Sequence, residues 1–356
     1  MRYSRHADGR PPCWGEERSA VRIRIVTTRR SREERMVTVA TWNLENLYRP
    51  GHESGPPNDE VYQRKLDTLA DIVTEVDADI LAVQEVGDPA ALDDLVALLP
   101  DHWHRCLSAH PDPRGIRVGF VSRPAFLDSS EITVFPEPLG SVRVADGSAS
   151  GSFATRMGRG ALRVRVATEI GVLDLITAHL KSKLLTYPGN RFAPRDEDER
   201  ARFGAYALYR RAAEAATVRA AATALLDGAI EERPPRDDPA VIVLGDLNDT
   251  ADAATTRVLH GPPGSQIGTA GFPRPDHGDR TRLWNVASLI PEEHRFSRIF
   301  EGQPELIDHI LVSHRLLDHL ESATAVTDAL TGITADPRLR RATVNSDHAP
   351  VVVRLL

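Results

Sequence analysis

The chain has 356 residues, 41% of them hydrophobic, enough to bury a full core as one large domain or two ordinary ones. A formal charge of -7 excludes a globally basic nucleic-acid binder, although a local positive groove would still attract phosphates, and 5% aromatic content advertises no base-stacking platform. No apolar run approaches the roughly 18 residues of a membrane span, the N-terminus lacks the apolar core of a signal peptide, and Cys13 and Cys106 lack metal-ligand spacing, so the chain reads as cytoplasmic.

Residues 1–35 are arginine-rich and aperiodic, and read as a disordered basic extension. Two readings stand for them: a tail that helps hold an anionic ligand, or an upstream segment with Met36 as the natural start. From Val37 onward, short apolar strands alternate with helices and no internal repeat appears. Strands are predicted at 37–42, 79–86, 116–122, 161–170, 172–179, 240–246, 306–313 and 349–355. "AVIVLG" and "DILAVQ" are continuous apolar runs suited to strands buried on both faces, whereas "ALRVRVAT" alternates as a half-exposed strand does. Helices are predicted over 60–77, where Val61, Leu69, Ile72, Val73 and Val76 recur at helical spacing, and over the alanine-rich 201–232 with room for one break. Loops are expected at 49–59, 136–152, 184–200 and 261–282, the last two long enough to be functional.

Polar residues collect where these strands end. Asn43 and Glu45 follow the first strand, Gln84 and Glu85 close the second, His179, Lys181 and Lys183 follow "LDLITA", and Asp246, Asn248 and Asp249 follow "AVIVLG". Asp347 and His348 precede the last strand, and Asp308 with His309 lies inside "LIDHILVS". Each cluster alone is explained by turn chemistry or solvated charge. Together, on one sheet rim, Asn, Glu and Asp oxygens without cysteine suit a hard cation such as Mg²⁺ or Mn²⁺, and His, Lys and Arg around it suit a transition state that gathers charge on phosphorus oxygens. Phosphate-ester hydrolysis is the reaction such a rim serves.

The segments "TWNLENL", "QEV", "GRGALRV", "HLKS", "GDLND", "IDHILVS" and "SDHAPV" resemble, in order, the motifs of the endonuclease/exonuclease/phosphatase (DNase-I-like) superfamily. The resemblance implies a four-layered α/β sandwich, two packed mixed or antiparallel sheets flanked by helices, with the site at one edge, and one domain over residues 36–356, because residues from 43 to 348 must converge on that site. It implies Asn43 and Glu85 as the metal site with Asp347 close by, Asp246 orienting or deprotonating the attacking water, and Asn248 as a donor to phosphorus oxygens. It further implies a His348–Asp308 pair, His179 as a second catalytic histidine, and Arg159 and Lys181 as phosphate contacts. Glu45 stands where some branches carry an aspartate near the metal. The cysteine-containing terminal motif of inositol polyphosphate 5-phosphatases is absent, and AP endonucleases would place Arg at Leu306 and a residue such as Tyr at His179. The expected activity is a divalent-metal-dependent phosphodiesterase acting on nucleic acid, a nuclease. The alternatives are a phospholipid or sphingomyelin-type phosphodiesterase, a small-molecule phosphatase and, from a different class, a non-catalytic binding module. No oligomeric state is indicated.

Overall fold

A computed structural model describes residues 36–189, 191–228, 239–260, 266–269, 272, 281–328, 330, 332 and 339–356. The N-terminal extension, most of the 261–282 loop and the 229–232 end of the second predicted helix lie outside the described residues.

Twelve strands make two six-stranded sheets, and four more make two small hairpins. In chain order these are β1 (Val37–Leu47), α1 (Asp59–Val76), β2 (Ile80–Val86), α2 (Pro89–Leu98), β3 (His104–Leu107), β4 (Arg117–Ser122) and β5 (Phe126–Val134). Next come the β6 (Val142–Val144) and β7 (Ser152–Ala154) hairpin, β8 (Arg156–Thr168), β9 (Gly171–His179), α3 (Glu197–Leu226), β10 (Ala240–Asp246), α4 (Ala254–His260) and β11 (Leu283–Asn285). The chain closes with the β12 (Arg298–Phe300) and β13 (Gln303–Glu305) hairpin, β14 (Asp308–Ser313), β15 (Leu320–Ala325) and β16 (Val351–Leu355).

One sheet runs β15-β16-β1-β2-β4-β3 and the other β11-β14-β10-β9-β8-β5, each with a parallel pair near its middle, β1 with β2 and β9 with β10. A main core forms between them, where Val39, Ile80 and Phe120 of the first sheet meet Val164, Leu175, Ile242 and Ile310 of the second. The outer face of the first sheet is covered by α1 and α2 through Leu66, Leu69, Val73 and Leu92. The outer face of the second is covered by α3 and α4 through Val218, Leu225 and Leu259. The result is the expected four-layered sandwich. Gln84, fully buried at the end of β2, cross-links the two sheets by donating from Nε2 to Thr41 Oγ1 and Thr177 Oγ1, both at 3.1 Å.

Two of the differences from the sequence reading, at β5 and at α3, have a clear physical reason. The strand β5 was not expected because it is an edge strand with an exposed face, so its sequence "FLDSSEITV" carries no alternation to detect. The expected loop 184–200 runs too far, because α3 starts at Glu197: Asp196 accepts from the Glu199 backbone N–H at 2.7 Å, and Glu199 in turn accepts from the Arg195 N–H and from Arg191. An Asp followed three residues later by Glu is the sequence form of a reciprocal helix cap. Within the described residues α3 is one unbroken helix of 30 residues.

Candidate active site

Strand polarity explains why distant motifs share one rim. The parallel strands β1, β2, β9 and β10 present their C-terminal ends there, and the antiparallel β14 and β16 present their N-terminal ends. In register, Asp246 pairs with both His179 and Asp308. Gly245 makes the first of these pairings possible: at φ +140 a Cβ would overlap the Ala178 carbonyl.

Asp246 Oδ2 is the hub. It accepts from Asn43 Nδ2 at 3.0 Å, lies 3.2 Å from His179 Nε2 and stands 4.0 Å from His348 Nε2. Its other oxygen, Oδ1, accepts from the Asn248 backbone N–H at 2.9 Å, the turn that brings Asn248 back over the strand end. The Asn248 side-chain amide donates to the Leu180 carbonyl at 3.0 Å. His348 Nδ1 lies 2.6 Å from Asp308 Oδ2, and Asp308 is fully buried. His348 is fixed through its backbone as well, its carbonyl accepting from Trp42 Nε1 at 2.8 Å and its N–H donating to Ser346 Oγ at 3.0 Å.

Burial alone would lower the basicity of His348, but the Asp308, Asp347 and Asp246 carboxylates outweigh it and raise the imidazole to about 10. Burial and the neighbouring Asp308 charge push Asp246 up to about 7, against the pull of His348 and of its hydrogen bonds from Asn43 and Asn248. His179 is driven well below the usual histidine range by burial, with Arg159, His348 and Arg114 adding repulsion. Two histidines a few ångströms from one carboxylate are thus held in opposite states, His348 cationic and His179 neutral.

A second, oxygen-rich cluster adjoins the first through Asn43, whose Oδ1 accepts from the Glu45 N–H at 2.9 Å. Glu45 Oε2 accepts from the Asp347 N–H at 2.9 Å, and Glu85 Oε2 accepts from the Asn46 N–H at 2.9 Å. Glu45, Asn46, Glu85 and Asn248 all have left-handed backbones, with φ between 48 and 60. Register shifts at the ends of β1 and β2 accompany the first three, so bulges re-aim those side chains at a cost of about 1–2 kcal/mol each. Burial and the Asp347 charge raise Glu45 to about 7, while half-buried Asp347 is held below its usual range, the pull of His348 and Arg340 outweighing the effect of burial.

The donor chemistry distinguishes two candidate cation positions. Asp246, Asp308 and His348 offer ligand atoms within 4.8 Å of one another. A protonated imidazole already donating to Asp308 is a poor ligand, however, and this trio reads better as proton machinery. The Asn43, Glu85 and Asp347 oxygens, with Glu45 nearby, have the all-oxygen chemistry that a hard divalent ion prefers, although the Glu45, Glu85 and Asp347 carboxylates do not bring three ligand atoms within 4.8 Å of one another, and the crowding of Glu45 by Asp347 is a repulsion that such an ion relieves. At present the guanidinium of Arg340 supplies that charge, donating to Glu45 Oε1 from Nε at 2.8 Å and pairing with Asp347.

The structure distributes the predicted residues unevenly. It gathers Asn43, His179, Asp246, Asn248, Asp308 and His348 around one hub and sets Asp347 against Glu45, while Glu85 holds the N–H of the neighbouring Asn46. Arg159 is close by, its Nε 3.1 Å from Asp112 Oδ2. Lys181 is turned aside: its Nζ donates to the Ser182 and Leu184 carbonyls at 2.8 Å, and burial with the nearby Arg210 lowers it to about 8. The strand β9 ends at His179, so the alternation that would put His179, Lys181 and Lys183 on one side is not continued. Lys183 instead lies 3.4 Å from Asp249 and 3.6 Å from Glu305. His309 is structural, contacting the Asp249 carbonyl and the Asn285 amide.

Sequence reasoning missed Lys65, Arg340 and Glu214. Lys65, buried in α1, donates to the Glu45 carbonyl at 2.7 Å, and its signal was a lysine on the apolar stripe four residues before Leu69. Glu214 of α3 accepts from the backbone N–H of Gly158 at 2.8 Å and of Lys181 at 2.7 Å, tying together the chain around Arg159 and the exit from His179. Arg211 beside it reaches the Lys181 carbonyl and Asp249.

A sandwich of this kind with carboxylates, amides and paired histidines on one rim defines the class of DNase-I-like phosphoester hydrolases. The model of the Endonuclease/Exonuclease/phosphatase family matches residues 40–329, and the chain belongs to that family. Family members are divalent-metal-dependent hydrolases of phosphate esters. The matched span stops before Asp347 and His348, whose place in the site rests on the geometry alone.

Solved structures agree on the fold. A mannosyl-6-phosphatase from Bacteroides thetaiotaomicron is 15% identical with a TM-score of 0.52, the alignment covering 90% of this chain and 99% of that one. An endonuclease/exonuclease/phosphatase from Bacteroides vulgatus is 16% identical with a TM-score of 0.51, covering 90% and 98%. A conserved protein of unknown function from Enterococcus faecalis is 12% identical with a TM-score of 0.52, covering 90% and 99%. No curated protein sequence matches the chain. Among the described residues no helix is long and apolar enough to cross a membrane.

Proposed function

We propose that this protein is a divalent-metal-dependent phosphodiesterase that cleaves nucleic acid by in-line attack of water. The observation that carries the reading is the Asp246 hub, where one buried carboxylate, raised to about 7, is flanked by a cationic and a neutral histidine. A carboxylate with that proton affinity accepts a proton from water near neutral pH, as general-base catalysis requires. The His348 imidazolium, kept charged by Asp308, donates to an oxygen on which negative charge develops. Neutral His179 holds Asp246 on its other side, and Asn248 stands at the turn where a phosphorus oxygen would lie. Arg159, set in place by Asp112, is the phosphate contact; Lys181 could join it only after leaving its loop carbonyls. A cation held by Glu85, Asp347 and the Asn43 amide oxygen would supply electrophilic stabilisation of the same charge.

The test is a screen of purified protein with Mg²⁺ or Mn²⁺ against plasmid DNA, RNA, bis-p-nitrophenyl phosphate, sphingomyelin and sugar phosphates. Cleavage of DNA or RNA is the expected result. Activity confined to monoesters overturns the phosphodiesterase assignment, and activity confined to sphingomyelin overturns nucleic acid as the substrate.

A further inference from the structure

Beside the carboxylate cluster the structure holds an open recess of about 250 Å³ lined by Glu45, Asn46, Ser54, Arg114, Arg340 and Arg341, among others. Its charges do not cancel. Arg340 is committed to Glu45 and Asp347, and Lys65 to the Glu45 carbonyl. Arg341 is anchored by Nε to the Gly55 carbonyl at 2.8 Å, a contact that fixes the side chain without neutralising it. Arg114 shares one carboxylate, Asp112, with Arg159, at 3.5 Å and 3.1 Å respectively. The remaining acid on the lining is Glu53, which is exposed.

The recess therefore offers guanidinium forks matched to a phosphate. At about 250 Å³ it falls below the ~300–1,000 Å³ of drug-sized ligand sites, which suits one sugar-phosphate unit rather than a whole extended ligand.

From the recess, positive charge leads back to the catalytic hub. Arg114 lines the recess and is joined through Asp112 to Arg159, and both arginines are near enough to His179 to repel its proton. We infer that this recess is a second phosphate subsite, which takes the phosphate flanking the scissile phosphodiester. The inference rests on the phosphodiesterase reading and deepens it: the substrate carries at least two phosphates separated by a sugar.

The experiment is binding rather than turnover, so that failure of the subsite and failure of the activity are distinguishable. Thymidine 3′,5′-bisphosphate and thymidine 5′-monophosphate are titrated calorimetrically into the full-length protein without added metal, for wild type, Arg341→Gln and Arg114→Gln. The bisphosphate is expected to bind wild type about tenfold more tightly than the monophosphate, a difference of about 1.4 kcal/mol, and each substitution is expected to remove most of that ratio. Equal affinity of the two probes in wild type, or a ratio unchanged in variants whose thermal unfolding matches wild type, overturns the subsite. On bis-p-nitrophenyl phosphate, which carries no second phosphate, Arg341→Gln should keep kcat/KM within about twofold, and a parallel loss there would assign Arg341 to general folding instead. If the bisphosphate ratio is present and lost in the variants while no diester is cleaved, the subsite stands and the phosphodiesterase reading falls.

Discussion

The two halves of the site use the same kinds of group with different counter-charges. Around Asp246 the neighbouring cation is an imidazolium, His348, which exchanges its proton at about 10. Around Glu45 and Asp347 it is a guanidinium, Arg340, which keeps its proton throughout the working range. Each half contains one carboxylate raised to about 7 beside another acid, Asp246 beside Asp308 and Glu45 beside Asp347. The first half can therefore change its charge by moving a proton. The second can change it only by moving a side chain or accepting another cation. In the proposed reading proton transfer falls to the first and cation holding to the second, although both halves are carboxylate clusters on one rim.

The sharpest way to break this division is to remove its proton carriers. Asp246→Ala or His348→Ala is expected to lower kcat by about 10²–10⁴ in steady-state assays on a diester, and turnover near that of wild type would end the assignment. Chelation comes next: EDTA should abolish turnover and added Mg²⁺ or Mn²⁺ restore it, and full activity in chelator would show that the oxygen cluster holds no essential ion.

Titration sharpens the same comparison. Asp246 works as a base when ionised, so activity should rise with pH through about 7; His348 works when protonated, so activity should fall through about 10. Asp308→Asn removes the charge that favours the imidazolium, and the alkaline limb should then move to lower pH in a kcat–pH profile; an unmoved limb would detach His348 from it. The smallest effect is expected in the second half. Arg340→Gln should leave these limbs in place and tighten calorimetric Mn²⁺ binding by about threefold to tenfold, because the ion no longer displaces a guanidinium. Weaker Mn²⁺ binding would mean that Arg340 organises the cluster rather than occupying it.

Much of this site was legible because strand ends are legible. The apolar runs before Asn43, Glu85, His179 and Asp246, and the run after His348, mark parallel strands leaving and antiparallel strands entering one rim. Their order matched known motifs closely enough to name the fold. The start of α3 could also have been read, since Asp196 and Glu199 stand at reciprocal-cap spacing. What could not be read depends on direction after a strand has ended. Lys181 follows His179 by two residues, yet it faces loop carbonyls because β9 stops and Glu214 captures the Lys181 backbone N–H.

The sequence by itself determined the alternation of strands and helices, the polar residues that close each strand, and hence which groups reach the rim, because these follow from local periodicity and chain order. Tertiary structure alone decided their charge states and partners. Glu45 meets Arg340 across 295 residues of chain, and Asn43 meets Asp246 across 203. Burial and proximity set the proton affinities of Asp246 and His348, and neither is a property of a residue in its own stretch of sequence; both arise only when two sheets close over the same few side chains.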